Sequence, residues 1–155
     1  MSTSSETNES FDEEIPPINN PPNVDTDEDA LFEDKAILFR YSSEKTEWIS
    51  RGSGLLKILK HKTTGSVRIV MRQNMTFVLR CNHYIPYLAT LRPLINGNNR
   101  EFAWTAFDFS DPKKPENREV FAVRFSLPTI AEAFKTQFEI GKQANKAIIE
   151  KKGLA

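Results

Sequence analysis

The sequence is poor in the residues that metal sites and nucleophilic catalysis require. It has one cysteine, Cys81, and two histidines, His61 and His83, among 155 residues. One cysteine cannot form an internal disulfide, and with two histidines it falls short of a zinc site or a plausible Cys-His nucleophilic pair. The glycine loops GxxxxGK[ST] and GxGxxG, which hold nucleotide phosphates, are missing as well. We therefore expect no enzymatic activity and no cofactor.

The chain also lacks segments that cross or target membranes. No apolar run approaches the roughly 20 residues that a transmembrane helix requires. The N-terminal stretch is polar and acidic, without the basic and apolar regions of a secretory signal. We therefore expect the chain to remain in the cytosol and to have no membrane partner.

Basic residues are missing from positions 1–34, which contain 11 Asp and Glu residues and no Lys or Arg. The remainder carries a net charge of +11, because the whole chain is neutral. Residues 1–27 are rich in Ser, Asn, Pro and acids and cannot bury enough apolar surface to fold, which predicts a disordered acidic arm. We assign 28–150 to one domain and 151–155 to a short tail.

Seven segments have the apolar or alternating pattern of strands, at 35–41, 55–60, 67–72, 75–82, 87–94, 100–109 and 120–125. The alternation is clearest in 75–82, where Met75, Phe77 and Cys81 share one face. Ile130, Phe134 and Phe138 then recur every four residues and predict an amphipathic helix from near Pro128 to beyond Lys142. The fold class is mainly β with one C-terminal helix: a seven-stranded sandwich or partly open barrel, closed at one end by the helix.

A hairpin connects segments 55–60 and 67–72 through the polar turn at 62–66. Its basic residues, Lys57, Lys60, Arg68 and Arg72, decorate a paired β surface that either is simply solvated or binds an acidic partner. Trp48 precedes this hairpin and either pins a loop or anchors a partner, whereas the position of Trp104 within a strand favours core packing.

Several motifs occur in the order found in one family: EWISRGSGLLKILKHKTTGSVRIVMR, CNHY, REFAWTAFDFSD and EVFAVRF. Together they resemble the Ran-binding domain, over about residues 29–138. The chain departs from the usual pattern of that family at five positions: Ile49, Ser50, Leu55, Gln73 and Asn74. The resemblance implies a pleckstrin-homology-like architecture.

The resemblance also implies a function. Such a domain binds the GTP form of the Ran GTPase, sequesters its acidic C-terminal tail and assists the GTPase-activating protein and the release of transport receptors. By this likeness, Lys57, Lys60, Arg68 and Arg72 would meet the acidic end of the tail, and Trp48 and Arg51 its apolar part. Leu31 and Phe32 would belong to a segment that wraps over the GTPase. The other expected partner-binding residues are Asn82, Trp104 and Arg124.

As a Ran-binding domain, the chain would be a monomer when free and would lie in the cytoplasm, shuttling through or concentrating at the nuclear pore. Two other functions remain open. A pleckstrin-homology-like module can also bind phosphoinositides or proline-rich peptides, although a lipid-binding module would carry more than the single charge of Lys62 in its first hairpin loop. Binding of single-stranded nucleic acid would need exposed aromatic residues in a basic groove, and the acidic arm argues against it.

Overall fold

The computed structural model describes residues 27–111, 113 and 117–151. The predicted disordered arm lies almost entirely outside these residues. The strands and the helix have the following bounds: β1 Glu28–Ser42, β2 Glu47–His61, β3 Val67–Gln73, β4 Leu79–Tyr84, β5 Arg92–Pro93, β6 Glu101–Asp108, β7 Asn117–Arg124 and α1 Pro128–Lys151. Within the described part of the chain, no helix combines the length and the apolar character needed to span a bilayer.

The seven strands form one antiparallel sheet in the order β4-β3-β2-β1-β7-β6-β5. The sheet bends far enough to bring β4 and β6 together, since the Phe109 N–H donates to the Asn82 carbonyl oxygen at 3.0 Å. The Asn82 N–H in turn donates to the Asp108 carboxylate at 2.8 Å. The predicted seven-stranded, partly open barrel with a C-terminal helix is confirmed.

Helix α1 closes the barrel with an aromatic face. Its residues Phe134 and Phe138 are fully buried, and their ring centroids lie 5.7 and 5.9 Å from that of Trp104. Contacts of this kind between aromatic rings are worth about 0.5–1.5 kcal/mol each beyond the area they bury. The predicted period of four residues therefore marks the face that packs on the sheet.

Farther along α1, Asn145 fastens the helix to the edge of β3. Its side chain accepts from the Val67 N–H at 2.8 Å and donates to the carbonyl oxygens of Val67 and Ile85 at 2.9 and 2.8 Å. Gly141 permits this approach, because a Cβ there would lie 2.6 Å from a methyl carbon of Val67. The helix continues past Lys142, as predicted.

Strand β1 begins at Glu28, earlier than the predicted start at residue 35. The added segment contains Phe32, which is buried and lies edge-on to the rings of Phe125 and Phe134, with centroids 5.5 Å apart in both cases. Leu31 is partly buried against the same core. Phe32 therefore belongs to the core, which contradicts its prediction as a partner contact, whereas the assignment of the partly buried Leu31 to partner binding stays a prediction.

Strand β4 begins at Leu79, so the first half of the predicted strand 75–82 is a turn. Met75 and Phe77 have positive φ angles of 73° and 62°, and the Phe77 N–H donates to the Gln73 carbonyl oxygen at 2.9 Å. The alternation of apolar residues continues through this turn, but their side chains are exposed instead of buried: Met75 is 89% and Phe77 59% exposed. The predicted strand 87–94 is likewise reduced to the two residues of β5.

Candidate functional site

The outer face of β2 and β3 carries a groove with a volume of about 160 Å³. We call it the basic groove. It is lined by residues of both strands and of the turn that follows β3: Leu55, Lys57, Leu59, Arg68, Val70, Arg72, Gln73, Asn74, Met75 and Phe77.

Strand register explains why these side chains meet. Leu55 lies opposite Arg72, and Lys57 lies opposite Val70. Because neighbours directly across an antiparallel pair point to the same face, these four side chains share the outer surface of the sheet. Two charged and two apolar side chains thus alternate across the strands, and the exposed Phe77 extends the apolar part beyond them.

Lys60 does not share this face. It lies opposite Val67, whose side chain is fully buried, and it is three positions after Lys57, so the two lysines project to opposite sides. The prediction that Lys57 and Lys60 form one basic surface is therefore wrong. Lys60 is exposed at the end of β2, outside the basic groove.

Arg68 lies on the expected face but is not an exposed cation. Its guanidinium forms two hydrogen bonds with the Glu28 carboxylate, both of 2.8 Å, and a third, of 3.0 Å, with the Asn82 side-chain oxygen. Its side chain is 6% exposed and that of Glu28 9%. Asn82 is 1% exposed. Arg68 and Asn82, predicted as partner-binding residues, instead fasten the beginning of β1 to the sheet.

A second recess lies beside the basic groove, at the end of β3, where Arg51 of β2 reaches Arg80 of β4. We call it the arginine cleft. It is lined by Ile37, Ser50, Arg51, Gly52, Ser53, Gln73 and Arg80.

Arg51 is half-buried in the arginine cleft and is held at two points. Its Nε donates to the Arg80 carbonyl oxygen and its Nη2 to the Ser110 hydroxyl, both at 2.9 Å. The adjoining backbone requires glycine: Gly52 has a φ of 151°, and a Cβ at Gly54 would lie 2.0 Å from the Arg72 carbonyl oxygen. At both positions a larger residue would collide with neighbouring atoms.

Trp48 lies at the far end of the β1–β2 pair, opposite Tyr41. Their rings meet edge to face with centroids 5.3 Å apart, and the two side chains are 37% and 38% exposed. A half-exposed pair of aromatic residues on a strand surface suits a partner anchor, because interface anchors are often Trp or Tyr. The assignment of Trp48 to partner binding stays a prediction.

Trp104 belongs to the core. It is fully buried, and its indole N–H donates to Nε2 of the buried His83 at 3.0 Å. The core packing that we favoured is confirmed, and the inclusion of Trp104 among the partner-binding residues is wrong. Arg124 lies at the surface, where it pairs with the Glu101 carboxylate and stacks over the Phe39 ring at 5.7 Å.

Cys81 is fully buried. Burial raises the pKa of its thiol well above the usual range, and the negative charge of Asp108 raises it further. The thiol is therefore protonated at neutral pH and is not activated as a nucleophile. The described residues also contain no group of three His, Cys, Asp or Glu side chains placed to hold a metal ion.

The sequence reasoning missed three residues at this surface: Met75, Phe77 and Arg80. Met75 and Phe77, predicted to share one face of a strand with Cys81, instead border the basic groove. A signal was present in Asn74 and Thr76, since Asn and Thr favour turns by hydrogen bonding to nearby backbone. Arg80 enters the arginine cleft from β4, and only the non-local pairing of strands reveals it.

Comparison with known proteins identifies the family. The family model of the RanBP1 domain matches residues 22–144. The E3 SUMO-protein ligase RanBP2 of Homo sapiens is 41% identical over 122 residues, which cover 78% of this chain and 4% of that protein. The Ran-specific GTPase-activating protein homolog of Dictyostelium discoideum is 37% identical over 127 residues, which cover 80% of this chain and 65% of that protein.

The chain thus spans less than two thirds of the length of these relatives. Among solved structures, the Ran-binding domain of the nuclear complex component Nup2 from Ashbya gossypii has the same fold, with a TM-score of 0.64 at 24% identity. That match covers 76% of this chain and 97% of the Nup2 chain. The sequence motifs, the bent seven-stranded sheet with its C-terminal helix, and the match of the family model all agree, and the chain belongs to the RanBP1 domain family.

Proposed function

We propose that this chain binds the GTP form of a Ran GTPase and holds the acidic C-terminal tail of the GTPase in the basic groove. By doing so it assists hydrolysis stimulated by the GTPase-activating protein and the disassembly of transport complexes. Family membership supports the choice of partner, since relatives of this chain are named as Ran-binding or Ran-specific proteins. The basic groove is the observation that carries the proposal.

The groove suits a segment that is acidic on one side and apolar on the other. Lys57 and Arg72 supply positive charge, while Leu55, Met75 and Phe77 supply exposed apolar surface. Covering such apolar surface contributes about 25 cal/mol for each Å² removed from water. The charges favour an acidic segment over other sequences and speed its association.

Holding the tail also accounts for a preference between nucleotide states. A binding protein shifts a conformational equilibrium only by the difference in its affinity for the two states. If the tail is available in the GTP state and packed against the GTPase in the GDP state, the complex with the GDP form must lose the groove contacts. We expect the affinity for Ran-GDP to be weaker by at least about 4 kcal/mol, on the order of a thousandfold.

Calorimetry tests this proposal directly. The full chain is titrated with Ran loaded with a non-hydrolysable GTP analogue and, separately, with GDP. A third titration uses GTP-loaded Ran from which the acidic tail has been deleted. We expect tight binding only in the first case; equal affinity for the two nucleotide states, or full affinity for the tail-deleted GTPase, refutes the proposed mode of binding.

A hydrolysis assay separates co-activation from catalysis. An arginine that enters the active site of a GTPase accelerates hydrolysis by about 10³ to 10⁵, so such an activity would be conspicuous. We expect the chain alone to leave the hydrolysis rate of Ran unchanged and to increase it only when the GTPase-activating protein is present. A thousandfold acceleration by the chain alone contradicts the assignment as a co-activator.

We further propose a cytoplasmic location with access to the nuclear pore, where such complexes are taken apart. A fluorescent fusion followed in living cells tests this location. The competing function as a lipid-binding module gains no support from the loop between β2 and β3. There, Lys62 lies 3.9 Å from the Asp29 carboxylate, and His61 Nδ1 accepts the N–H groups of Thr63 and Thr64.

A further inference from the structure

Behind the arginine cleft, hydrogen bonds run without a break from the core to the surface. The Trp104 indole reaches His83 at 3.0 Å, and His83 Nδ1 reaches Asp108 Oδ1 at 2.8 Å. The Ser110 hydroxyl reaches Asp108 Oδ2 at 2.5 Å, and Arg51 Nη2 reaches the Ser110 hydroxyl at 2.9 Å. The first four residues are buried, and Arg51 alone extends into the cleft.

The direction of each of these hydrogen bonds is fixed by chemistry. Indole N–H only donates, so His83 Nε2 accepts and the proton of the neutral ring lies on Nδ1, toward Asp108. Arginine also only donates, so the Ser110 oxygen accepts from Arg51. The single hydroxyl proton of Ser110 points to Asp108, whose oxygen at 2.5 Å is nearer than the Arg80 carbonyl oxygen at 3.2 Å.

Asp108 therefore accepts hydrogen bonds at both oxygens of its carboxyl group. Besides the contacts with His83 and the Ser110 hydroxyl, it accepts the backbone N–H groups of Asn82 and Ser110 at 2.8 and 3.0 Å. A buried carboxyl group that is held in this way cannot turn toward another group. The hydroxyl of Ser110 thus connects a fixed carboxyl group to the guanidinium of Arg51.

Arg51 consequently has a fixed position before any partner arrives. Among the described residues, Arg80 and Ser110 accept two of the five N–H donors of its guanidinium. The other three donors remain for a ligand. The Arg80 side chain lines the same cleft, so two guanidinium groups flank one recess. Paired guanidinium donors recognise a carboxylate well, because their planar N–H groups match its two oxygens.

We propose that Asp108 and Ser110 are positioning residues that hold Arg51 ready to bind a carboxylate side chain of the partner in the arginine cleft. This inference rests on the proposed function for the identity of the partner. It adds a second contact point, separate from the basic groove, and it assigns a task to buried residues that touch no partner. Fixing an arginine in advance avoids an ordering cost equivalent to about two- to tenfold in affinity.

A double-mutant cycle in the full chain tests the connection. Ser110→Ala removes the hydroxyl that reaches Arg51, and we expect it to weaken binding of GTP-loaded Ran by about two- to tenfold. Arg51→Ala should weaken binding more, and the double variant should bind no worse than Arg51→Ala. A Ser110→Ala effect that is equally large in the Arg51→Ala background overturns the proposal, since Ser110 would then act by another route.

Nuclear magnetic resonance of the free chain tests the positioning without any partner. In the wild type, a guanidinium held at Nε and Nη2 rotates slowly about its Nε–Cζ bond, so Arg51 should give separate Nη signals. We expect these signals to merge in Ser110→Ala, while the backbone amide spectrum shows a folded domain. Unchanged separate signals in the variant overturn the proposal. Absence of Ran binding by the wild type refutes the proposed function instead, and the spectra still decide whether Ser110 positions Arg51.

Discussion

The buried ion pair between Arg68 and Glu28 should be a structural contact whose loss is felt in stability. Arg68→Ala removes two charge-assisted hydrogen bonds of 2.8 Å and leaves a carboxylate that is 9% exposed without its partner. It also takes the 3.0 Å donor from the Asn82 side chain. Removing one member of a buried pair costs about 3–5 kcal/mol, against a total stability of about 5–15 kcal/mol for a typical domain.

Urea unfolding measures this loss. With a slope of about 2 kcal/mol per molar urea, a loss of about 4 kcal/mol lowers the midpoint by about 2 M. The double variant Arg68→Leu with Glu28→Leu is the control. Because replacing both charges by apolar groups leaves no unpaired ion, it should lose much less stability than Arg68→Ala.

The reasoning fails if Arg68→Ala lowers stability by less than about 1 kcal/mol, which is the range of an exposed ion pair. It also fails if the double variant is destabilised as strongly as the single one. In either case the contact between β1 and β3 would not hold a buried charge, and Arg68 would again be a candidate for direct contact with the partner.

Three further predictions follow from the placement of individual residues. Lys57→Glu should weaken binding of GTP-loaded Ran at least about tenfold without lowering the melting temperature. Lys60→Glu, on the opposite face of the sheet, should change the affinity much less. Equal effects of the two variants would contradict the basic groove as the binding site. A chain that begins at Val24 should unfold at the same urea concentration as the full chain. A chain that begins at Lys35 loses the first half of β1 with its buried Phe32 and should be destabilised by several kcal/mol. Equal midpoints would show that this half of the strand contributes little to stability. Because the pKa of Cys81 is raised in the folded chain, only the unfolded chain ionises this thiol just above pH 8.5. The free energy of unfolding should therefore fall with rising pH in that range, by up to about 1.4 kcal/mol per pH unit, and Cys81→Ala should remove that part of the slope. An unchanged pH profile in the variant would contradict this prediction.

The parts of the fold that could be predicted from the sequence depend on local patterns. The helix is marked by the spacing of Phe134 and Phe138, and the β2–β3 hairpin by two apolar runs around a short polar turn. In both cases the pattern that marks the element lies within a short stretch of the chain. Period and turn chemistry are then sufficient, and the predictions agree with the structure.

The errors come from contacts between distant segments. Arg68 has the face that alternation predicts, but its exposure is decided by Glu28, 40 residues away along the chain. Phe32 lies in an acidic segment that resembles a free tail. It is buried by the rings of Phe125, just after β7, and of Phe134 in α1. A pattern within one strand contains no information about which charge or ring another strand will bring to it.

The central position of β1 in the sheet has a consequence for synthesis of the chain on the ribosome. β1 pairs with β2 on one side and with β7 on the other, and Arg40 of β1 meets Glu119 of β7 across 79 residues of sequence. Until β7 has been made, the first four strands present an unpaired edge, which is a template for pairing with other chains. Contacts this distant also slow folding. The N-terminal half therefore passes through a period of exposure to aggregation that ends only when the C-terminal half has emerged.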